Sequence, residues 1–336
     1  MKTVIVTGGA GFIGSHLVDG LLQEGCRVIV IDDFSTGKDK NLQQSVEKFG
    51  DNLTVVKADV VSSEAYRAVV ESKPVAIFHQ AAQMNVRRSV AEPMFDAEKN
   101  VLGTVNMLEA ARVAGTKRFF FASTGGAIYG EQEEFPASEN HPSRPECPYG
   151  VSKNCGENYL EYYSRSAGMQ CTALRYANVY GPRQSPKGEA GVVAIFSERI
   201  LRNESLQVNG DGLQTRDYVF VRDVVSANLG LFAQSFLSAS TQGSTSAFEP
   251  GFFTYNVGTG VESTVLDLVN CLKVAYPEIA KEKGFRAEEI VYHHSTALPG
   301  EQRRSVINNA KLSKQIGWSP TVKLQQGLYE TLKSFS

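Results

Sequence analysis

Short apolar runs alternate with longer amphipathic stretches through the first half of the chain. The runs are TVIV at 3–6, RVIVID at 27–32, TVVKAD at 54–59, VAIFHQ at 75–80, RFFFAST at 118–124 and CTALRY at 171–176. Apolar positions with helical spacing lie between these runs, near 15–24, 64–71, 93–114 and 148–167. Nearly all-apolar strands separated by helices indicate a parallel sheet that is covered on both faces. The pattern therefore predicts a doubly wound α/β fold of Rossmann type.

The composition of the sequence changes after CTALRY. The stretch NVYGPRQSPKGEAG is rich in Gly, Pro and polar residues, and the later apolar segments are shorter and mixed. We predict a Rossmann domain over 1–177 and a smaller, discontinuous α/β lobe over 178–336, with the chain returning to the first domain near 217–257. A Ser/Thr-rich stretch at 238–248 is predicted to be a solvated loop.

Composition narrows the class of protein. The chain has 336 residues, 42% of them hydrophobic and 21% charged, which is typical of a globular protein and excludes disorder or a coiled coil. Its formal net charge of −2 offers no basic surface for nucleic acid. Five cysteines without a Cys-x-x-Cys pair predict free thiols and no metal site. No apolar run reaches the roughly 18 residues of a membrane helix, and the first is too short for a secretory signal, so we expect a cytoplasmic protein without membrane contact.

A glycine triplet follows the first predicted strand and opens the first helix. Gly8, Gly11 and Gly14 in TGGAGFIG permit a tight turn, close approach of the backbone to a pyrophosphate, and close packing of helix on sheet. The helix start then presents unpaired N–H groups and the positive end of its dipole to the phosphates. A lone triplet is weak, but the strand before it and the helix after it predict a dinucleotide site.

Two strand-end carboxylates specify the predicted dinucleotide. Asp32 follows Gly14 by eighteen residues, where a carboxylate accepts the adenosine ribose hydroxyls and repels a 2′-phosphate, so NAD is favoured over NADP. Asp59 follows the third strand and can accept from the adenine amino group. The alternative for both residues is that an Asp simply ends a strand at the surface.

The sequence also offers reacting groups. Tyr149 and Lys153 in YGVSK lie four apart on one helical face, where the ammonium, with a cationic nicotinamide, stabilises a phenolate that can remove a hydroxyl proton. Ser123 and Thr124 end the fifth strand, at the sheet edge where α/β proteins bind ligands. Either hydroxyl can share a proton with Tyr149, although strand-end hydroxyls commonly form turns only. His79, at the end of the fourth strand, is interpreted as packed and not catalytic.

The motifs together resemble those of a known family. TGGAGFIGSHLVDGLL, IDDFSTG, NVLGTVNMLEAA, STGGAIYGE, PYGVSK, LRYANVYGPRQ, RDYVFVRDVV and NVGTG occur in the order found in the extended short-chain dehydrogenase/reductases. Within these, the chain is most similar to the NAD-dependent nucleotide-sugar epimerases and dehydratases, and among them to UDP-glucose 4-epimerases. The resemblance implies bound NAD, a Ser/Thr-Tyr-Lys triad, a nucleotide-sugar cleft between two lobes, and a homodimer formed by helices near 93–114 and 150–166.

The resemblance also implies roles for individual residues. Those implied at the cofactor are Gly8, Gly11, Phe12, Ile13, Gly14, Asp32, Asp33, Ser35, Thr36, Gly37, Asp59, Val60, Gln80, Ala81, Ala82, Asn100, Tyr149, Lys153 and Tyr176. Those implied in catalysis are Thr124, Tyr149 and Lys153, with Ser123 as the second candidate for the triad hydroxyl. Those implied at the UDP-sugar are Thr124, Tyr149, Asn178, Val192, Gln207, Arg216, Arg303 and Ser305.

Four positions where this chain is compared with the family indicate which reaction and substrate to expect. Dehydratases of the group carry an acidic pair where this chain has Gly125 and Gly126, and decarboxylases have a Glu there, so both activities are disfavoured. The family often has an Arg on the diphosphate where this chain has Leu298, which leaves Arg216, with help from Arg303 or its neighbour, as the phosphate ligand. A small residue, Ser305, stands where a Tyr would narrow the sugar pocket.

We therefore predict an NAD-dependent 4-epimerase of UDP-hexoses, acting on UDP-glucose and UDP-galactose and admitting their N-acetylated counterparts. The alternatives are another nucleotide-sugar epimerase or reductase, such as a UDP-glucuronate epimerase with Arg183 or Arg303 as the counter-charge, a 4,6-dehydratase, and a non-catalytic regulator that binds NAD or a nucleotide sugar.

Overall fold

A computed structural model describes residues 1–186, 191–236, 249–297 and 302–336. The strands in chain order are β1 (Thr3–Thr7), β2 (Arg27–Asp32), β3 (Leu53–Lys57), β4 (Ala76–His79), β5 (Arg118–Thr124), β6 (Gln170–Tyr176), β7 (Asn178–Tyr180), β8 (Leu206–Asn209), β9 (Thr215–Phe220), β10 (Gly251–Val257), β11 (Glu262–Thr264), β12 (Tyr292–Ser295) and β13 (Arg304–Ser305). The helices are α1 (Phe12–Gln23), α2 (Gln43–Phe49), α3 (Ser63–Ser72), α4 (Val86–Ala91), α5 (Pro93–Ala97), α6 (Gly103–Ala114), α7 (Pro148–Ser166), α8 (Val192–Leu201), α9 (Val221–Gln234), α10 (Val265–Lys283), α11 (Ala310–Ile316) and α12 (Leu324–Phe335).

Seven of the described strands form one parallel sheet in the order β10-β6-β5-β4-β1-β2-β3. The chain moves outward in one direction through β1, β2 and β3, and in the other through β4, β5 and β6. A crevice forms outside the carboxyl ends of the strands where these two directions separate, between β1 and β4. The predicted doubly wound Rossmann fold is confirmed.

Successive residues of each central strand point to opposite faces of the sheet. Val4 and Val6 pack into a core beneath α1 and α9, whereas Ile5 between them packs into a second core beneath α3 and α6. Phe78 and Phe120 stack on the first face with ring centroids 4.7 Å apart. Because both faces are buried, these strands carry the nearly unbroken apolar runs seen in the sequence.

The second lobe has a smaller core of its own. Strand β9 pairs with β7, β11 and β13, and β8 pairs with β12 in a separate two-stranded ribbon. Helices α8, α10 and α12 cover these strands, with Phe196, Leu268 and Leu332 buried between them. Strand β10 returns the chain to the large sheet, where it pairs with β6.

One buried carboxylate joins the two lobes. Asp217 lies on β9 and accepts hydrogen bonds at Oδ1 from the N–H and hydroxyl of Thr259, at 2.8 and 2.7 Å, and at Oδ2 from the N–H of Gly260 at 3.0 Å. These donors belong to the NVGTG turn that follows β10 of the large sheet. A Cβ on Gly258 would lie 2.4 Å from Asp217 Oδ2, so the turn requires glycine there. Two of the quoted motifs therefore hold the lobes in one arrangement.

Two details differ from the predicted elements or lie beyond them. The single helix predicted near 93–114 is divided into α5, a π-helical segment over Glu98–Leu102, and α6, and the wide segment sets Asn100 into the core. The Ser/Thr-rich stretch at 238–248 and Leu298 lie outside the described residues. Within the described ranges, no helix is both long and apolar enough to cross a membrane.

Candidate active site

The glycine-rich turn between β1 and α1 is packed against the end of β4. Gly8 has a φ of +66°, and a Cβ placed on it would lie 2.7 Å from the backbone N of Ala81. A Cβ on Gly14 would lie 2.1 Å from the carbonyl O of Gly8. Helix α1 begins at Phe12, so the N–H groups of its first turn have no partner within the helix. This combination of close backbone packing and free helix N–H groups suits a pyrophosphate.

Asp32 is fixed beside this turn at the end of β2. Its Oδ2 accepts from the N–H of Ala10 at 2.9 Å and its Oδ1 from the N–H of Phe34 at 2.8 Å. Burial raises the pKa of Asp32, and the two backbone hydrogen bonds oppose that rise. A Cβ on Gly37 would lie 2.8 Å from Asp32 Oδ1, so the following loop closes over the carboxylate.

The rim of that loop is polar and exposed. Oδ1 of Asp33 accepts from both the N–H and the hydroxyl of Ser35, at 2.9 and 2.6 Å, and Thr36 is exposed beside them. The predicted edge of the cofactor pocket is thus a short turn held by its own side chains.

Asp59 has a partner that the sequence did not indicate. Lys99, in the π-helical segment, donates to Asp59 Oδ2 at 2.5 Å, and the N–H of Val61 donates to Oδ1 at 3.2 Å. Val60 beside it is buried against Gly103, where an added Cβ would lie 2.7 Å from Val60 Cγ2. The carboxylate predicted for the adenine is therefore anchored by an ammonium from a neighbouring element.

Helix α7 carries the predicted reacting groups. The buried Lys153 ammonium donates to the carbonyl O of Ala122 at 2.9 Å and lies 5.9 Å from the centroid of the Tyr149 ring. Burial lowers the pKa of Lys153 to about 8, although the negative charges of Asp96 and Glu157 oppose this. Burial, with nearby Cys147 and Asp96, raises the pKa of Tyr149, and a hydrogen bond with Thr124 opposes the rise. The phenol of the chain by itself is therefore protonated at neutral pH.

The two strand-end hydroxyls of β5 have different partners. Thr124 hydrogen-bonds the Tyr149 phenol and accepts the N–H of Ala127 at 3.2 Å. The hydroxyl of Ser123 instead donates to Oε1 of Glu157 at 2.5 Å. Of these two hydroxyls, Thr124 is the one that interacts with Tyr149, which favours it over Ser123 as the triad hydroxyl.

A buried ion pair behind the helix was missed by the sequence reasoning. Arg175 on β6 donates to both carboxylate oxygens of Glu157, at 3.0 and 2.7 Å, and also to the Tyr129 hydroxyl at 3.0 Å. The available signal was spacing, since Glu157 lies one helical turn after Lys153, and Arg175 immediately precedes Tyr176 in the LRYANVYGPRQ motif.

The residues predicted along the cofactor groove at the end of β4 are partly buried, and Tyr176 beside them is buried. Gln80 donates to the hydroxyl of Tyr176 at 3.2 Å, and Asn228 on α9 donates to the same oxygen at 2.9 Å. Burial raises the pKa of Tyr176 to about 12. The N–H of Ala81, next to Ala82, donates to the Thr7 hydroxyl at 3.2 Å.

Asn100 is buried and fixed by three hydrogen bonds. It exchanges two hydrogen bonds of 2.8 Å with the backbone of Gln83 and donates to Asp96 at 3.0 Å. These hydrogen bonds join Asn100 to Gln83 and Asp96, and its predicted role of bracing the site near the triad stays a prediction.

Three residues predicted at the UDP-sugar lie on the strands around β9. Arg216 is on β9, and Ser305 on β13 is its partner in the pairing of these two strands. Asn178 is on β7, which also pairs with β9. A Cβ on Gly126 would lie 3.6 Å from Asn178 Oδ1 and 4.0 Å from Thr124 Oγ1. Gly126 therefore lies next to both Asn178 of the second lobe and Thr124 of the predicted triad.

The remaining predicted substrate residues are Gln207, Arg303 and Val192, which lie outside the strands around β9. Gln207 is exposed on the two-stranded ribbon and donates to Ser295 at 3.2 Å. Arg303 is exposed and donates to both oxygens of Asp211, at 2.8 and 2.9 Å. Val192 begins α8 and follows Gly191, the residue at which the described chain resumes.

The fold and these groups define a class: a dinucleotide-binding α/β enzyme whose Thr, Tyr and Lys meet at the carboxyl edge of the sheet. A family model described as GDP-mannose 4,6 dehydratase matches residues 5–331, and the chain belongs to this family. The family resemblance seen in the motifs is confirmed.

Comparison with individual proteins shows which members of the family this chain is similar to over its full length. A curated relative, the UDP-glucose 4-epimerase of Mycolicibacterium smegmatis, is 42% identical over 335 residues, covering 100% of this chain and 98% of the relative. The crystal structure of UDP-glucose 4-epimerase from Thermotoga maritima with UDP-glucose has a TM-score of 0.83 at 41% identity, covering 99% and 98% of the two chains. The Thermus thermophilus UDP-glucose 4-epimerase complex with NAD has a TM-score of 0.83 at 40% identity, with the same coverage.

Proposed function

We propose that this protein is an NAD-dependent 4-epimerase that interconverts UDP-glucose and UDP-galactose. The observation that carries the proposal is the contact of Thr124 with Tyr149, on the helix that also buries Lys153, beside the glycine-rich turn. The relatives named above are similar over the full chain and carry the same activity in their names. The function predicted from the sequence agrees with those names.

The residues present fit NAD. The close packing of Gly8 on Ala81 and the free N–H groups at the start of α1 suit the pyrophosphate of a dinucleotide, with Gly11 and Gly14 in the same turn. The buried Asp32 carboxylate suits the two hydroxyls of an adenosine ribose and disfavours a 2′-phosphate. When bound, NAD supplies a hydride acceptor and donor for C4 of the sugar.

Each side chain of the triad has a separate task. Tyr149 takes the proton of the 4-hydroxyl as that carbon is oxidised, and it returns the proton after the 4-keto sugar has turned its other face. Thr124 hydrogen-bonds the phenol and so shares that proton. Lys153 supplies a buried positive charge next to the phenolate, and its bond to the Ala122 carbonyl fixes the ammonium.

The chain lacks the group that dehydration requires. Elimination of the C6 hydroxyl needs a carboxylic acid next to the triad, and this chain has Gly125 and Gly126 at that place. A Cβ on Gly125 would lie 2.7 Å from Ile307 Cδ1, so a larger side chain there would displace the core. The geometry thus supports epimerisation over dehydration.

Both candidate counter-charges for a uronate already have a carboxylate partner, although Nη1 of Arg183 is buried without a hydrogen-bond partner among the described residues. Arg183 donates to Asp19 on α1 at 2.8 Å, and Arg303 is paired with Asp211. Both guanidinium groups are already bound by carboxylates. A neutral hexose is therefore the better candidate substrate, and the small Ser305 beside Arg216 extends the proposal to the N-acetylated hexoses.

We propose further that the protein forms a homodimer and works in the cytoplasm. Helices α4, α5 and α7 and the segment between α5 and α6 expose apolar side chains, each more than half exposed: Val90, Met94, Leu102, Val151 and Tyr162. Apolar side chains gathered on one part of a surface indicate a protein interface, and two-fold pairing is the commonest arrangement. All five cysteines are free thiols, which suits a reducing compartment.

The dimer proposal predicts a dimer in sedimentation velocity that Met94→Lys together with Tyr162→Glu converts to a monomer. Val291→Lys, which changes an equally exposed side chain in the second lobe, is the matched control. A dimer that survives the double change would contradict this interface.

The activity itself is tested by incubating the purified protein and NAD with UDP-glucose and following C4 by NMR. We expect UDP-galactose to appear and the mixture to reach the same composition from either sugar. UDP-glucose left unchanged by a folded, NAD-loaded protein would overturn the proposal, and loss of C4 and C6 hydroxyls would indicate dehydration instead.

A further inference from the structure

A chain of buried polar side chains runs from the glycine-rich turn to the catalytic helix. Its members lie on six different elements and are at most 4% exposed: Thr7 on β1, His79 on β4, Thr104 on α6, Asn100 in the π-helical segment, Asp96 on α5 and Ser152 on α7. The epimerase mechanism uses none of them directly. Buried polar groups cost free energy unless each is paired, so such a chain calls for an explanation.

The hydrogen atoms in the first half of the chain all point the same way. Thr104 donates its single hydroxyl hydrogen to the carbonyl O of Asn100 at 2.6 Å, because a carbonyl only accepts. The His79 Nε2, 3.2 Å from Thr104 Oγ1, must then be the donor. In a neutral ring Nδ1 is left to accept, and it accepts from the Thr7 hydroxyl at 2.8 Å. Thr7 in turn accepts the N–H of Ala81 at 3.2 Å.

The second half of the chain converges on a buried carboxylate. Asn100 donates to Asp96 Oδ1 at 3.0 Å, Gln83 donates to the same oxygen at 2.9 Å, and Ser152 donates to Oδ2 at 2.6 Å. Each of these donors is a neutral amide or hydroxyl. Hydrogen bonds to a charged acceptor are the strong ones, so the carboxylate fixes Asn100, Gln83 and Ser152 as donors in this half, whereas the Asn100 carbonyl fixes the direction of the first half.

The two ends of the chain lie at the two halves of the site. At one end Ala81 is the residue against which the Gly8 turn packs, with 2.7 Å between the Ala81 N and a Cβ placed on Gly8. At the other end Ser152 stands between Tyr149 and Lys153 in the sequence of α7. The chain thus connects the backbone that would meet the cofactor with the helix that carries the reacting phenol.

We propose that this chain fixes the cofactor side of β4 relative to the catalytic face of α7, with His79, Thr104 and Asp96 as positioning residues, and that His79 acts only as the neutral Nε2–H tautomer. If the ring carried its hydrogen on Nδ1, Nε2 would have no hydrogen to donate to the Thr104 oxygen, and the series of hydrogen bonds would be interrupted between His79 and Thr104. The effect on turnover rests on the proposed epimerase function, whereas the tautomer does not.

The surroundings of His79 keep the ring in one form. It lies between Phe119 and Phe121, with centroids 5.8 and 5.9 Å away. Burial, and to a smaller extent the charge of Lys153, lowers the pKa of His79 to about 3. The imidazole is therefore neutral throughout the pH range in which an enzyme of this kind is assayed.

The first experiment reads the tautomer without turnover. In protein labelled with 15N-histidine, we expect one ring with a protonated Nε2 and an unprotonated Nδ1 whose shifts do not change between pH 5.5 and pH 8.5. The signal is assigned by its loss in His79→Gln. A ring protonated on Nδ1, or one that titrates in this range, would overturn the proposal whatever reaction the protein catalyses.

The second experiment tests whether the two ends act as one unit. Thr7→Val and Ser152→Ala remove one hydroxyl at each end, and the two residues share no hydrogen bond. We expect each change to lower kcat by roughly 5- to 10-fold and the double variant to be no slower than about 10-fold, because either change already breaks the chain.

Ser164→Ala is the matched control. This serine is buried on the same helix but donates to the carbonyl O of Glu161 at 2.7 Å, outside the chain. In a double variant with Thr7→Val, we expect the decrease in kcat to equal the product of the decreases in the two single variants. If the decrease in kcat of the double variant equalled the product of the decreases caused by Thr7→Val and Ser152→Ala, the coupling would be refuted. If either variant fails to fold, the NMR measurement of the His79 tautomer tests the proposal by itself.

Discussion

The hydroxyl of Ser123 donates to Oε1 of Glu157 at 2.5 Å, and both side chains are buried. Glu157 is also bound at both oxygens by Arg175. Ser123 therefore completes a buried ion pair, while the next residue along β5, Thr124, contacts the Tyr149 phenol. Two adjacent hydroxyls that look equivalent in the sequence have different partners, because successive side chains of a strand point to opposite faces.

The first prediction separates these two hydroxyls. Thr124→Val should lower kcat by about 10²-fold with little loss of stability, because it removes the hydrogen bond to the phenol but keeps the volume. Ser123→Ala should keep kcat within about 3-fold but lower the free energy of unfolding by about 1–3 kcal/mol, because Glu157 loses a donor. Steady-state kinetics and urea unfolding measure the two quantities. The reverse pattern would make Ser123 the triad hydroxyl.

The second prediction concerns the base. Tyr149→Phe should fold and bind NAD normally, and kcat should fall by at least ~10²-fold, because Phe has no hydroxyl that can take the proton of the 4-hydroxyl. Circular dichroism and NAD retained after gel filtration provide the controls. Turnover equal to that of the unchanged protein would remove Tyr149 from its assigned role.

Much of the large domain could be predicted because its signals are local. The runs containing Val4, Val28 and Phe119 are short and apolar and are separated by helical spacing, so the doubly wound parallel sheet was predicted from the pattern alone. The pairing of Arg304 and Ser305 with β9 did not follow, because a two-residue strand has no periodicity.

The parts of the site that were missed depend on contacts between distant residues. Lys99 reaches Asp59 only because the helix near it widens into a π-helical segment, which no propensity marks. Arg175 meets Glu157 across the face between β6 and α7, and neither residue identifies its partner in the sequence. For Gln207, the prediction rested on a resemblance, and the structure gives that side chain an exposed position.

The third prediction compares two arginines predicted at the phosphates. Arg216→Gln should raise the KM for UDP-glucose by roughly 10- to 100-fold, because a charge-assisted hydrogen bond is worth about 1.5–3 kcal/mol. Arg303→Gln should change KM by less than about 2-fold, because its guanidinium is bound to Asp211 at an exposed position. Initial rates over a range of substrate concentrations distinguish the two. An equal rise in both variants would place Arg303 at the substrate as well.

The fourth prediction concerns the size of the sugar pocket. Ser305→Tyr should lower kcat/KM for UDP-GlcNAc at least ~10-fold more than for UDP-glucose, because a ring next to Arg216 would occupy the space of an N-acetyl group. Ser205→Tyr, at an exposed position of the second lobe, controls for the added ring. Equal losses for both substrates would mean that Ser305 does not face the sugar.

The last prediction follows from the buried imidazole. Burial lowers the pKa of His79 from 6.5 to about 3, so below pH 6.5 the unfolded chain binds a proton that the folded chain does not. Stability is therefore lost as pH falls, by about 1.4 kcal/mol per pH unit.

Between pH 7.5 and pH 5.0 the unchanged protein should lose about 2 kcal/mol more of its unfolding free energy than His79→Gln, which has no such group. Urea unfolding at the two pH values measures this difference between the two proteins. His293→Gln, at an exposed histidine, should keep the full dependence. The same slope in His79→Gln would mean that the ring is protonated in the folded protein, and the hydrogen-bond chain through it would then run in a different direction.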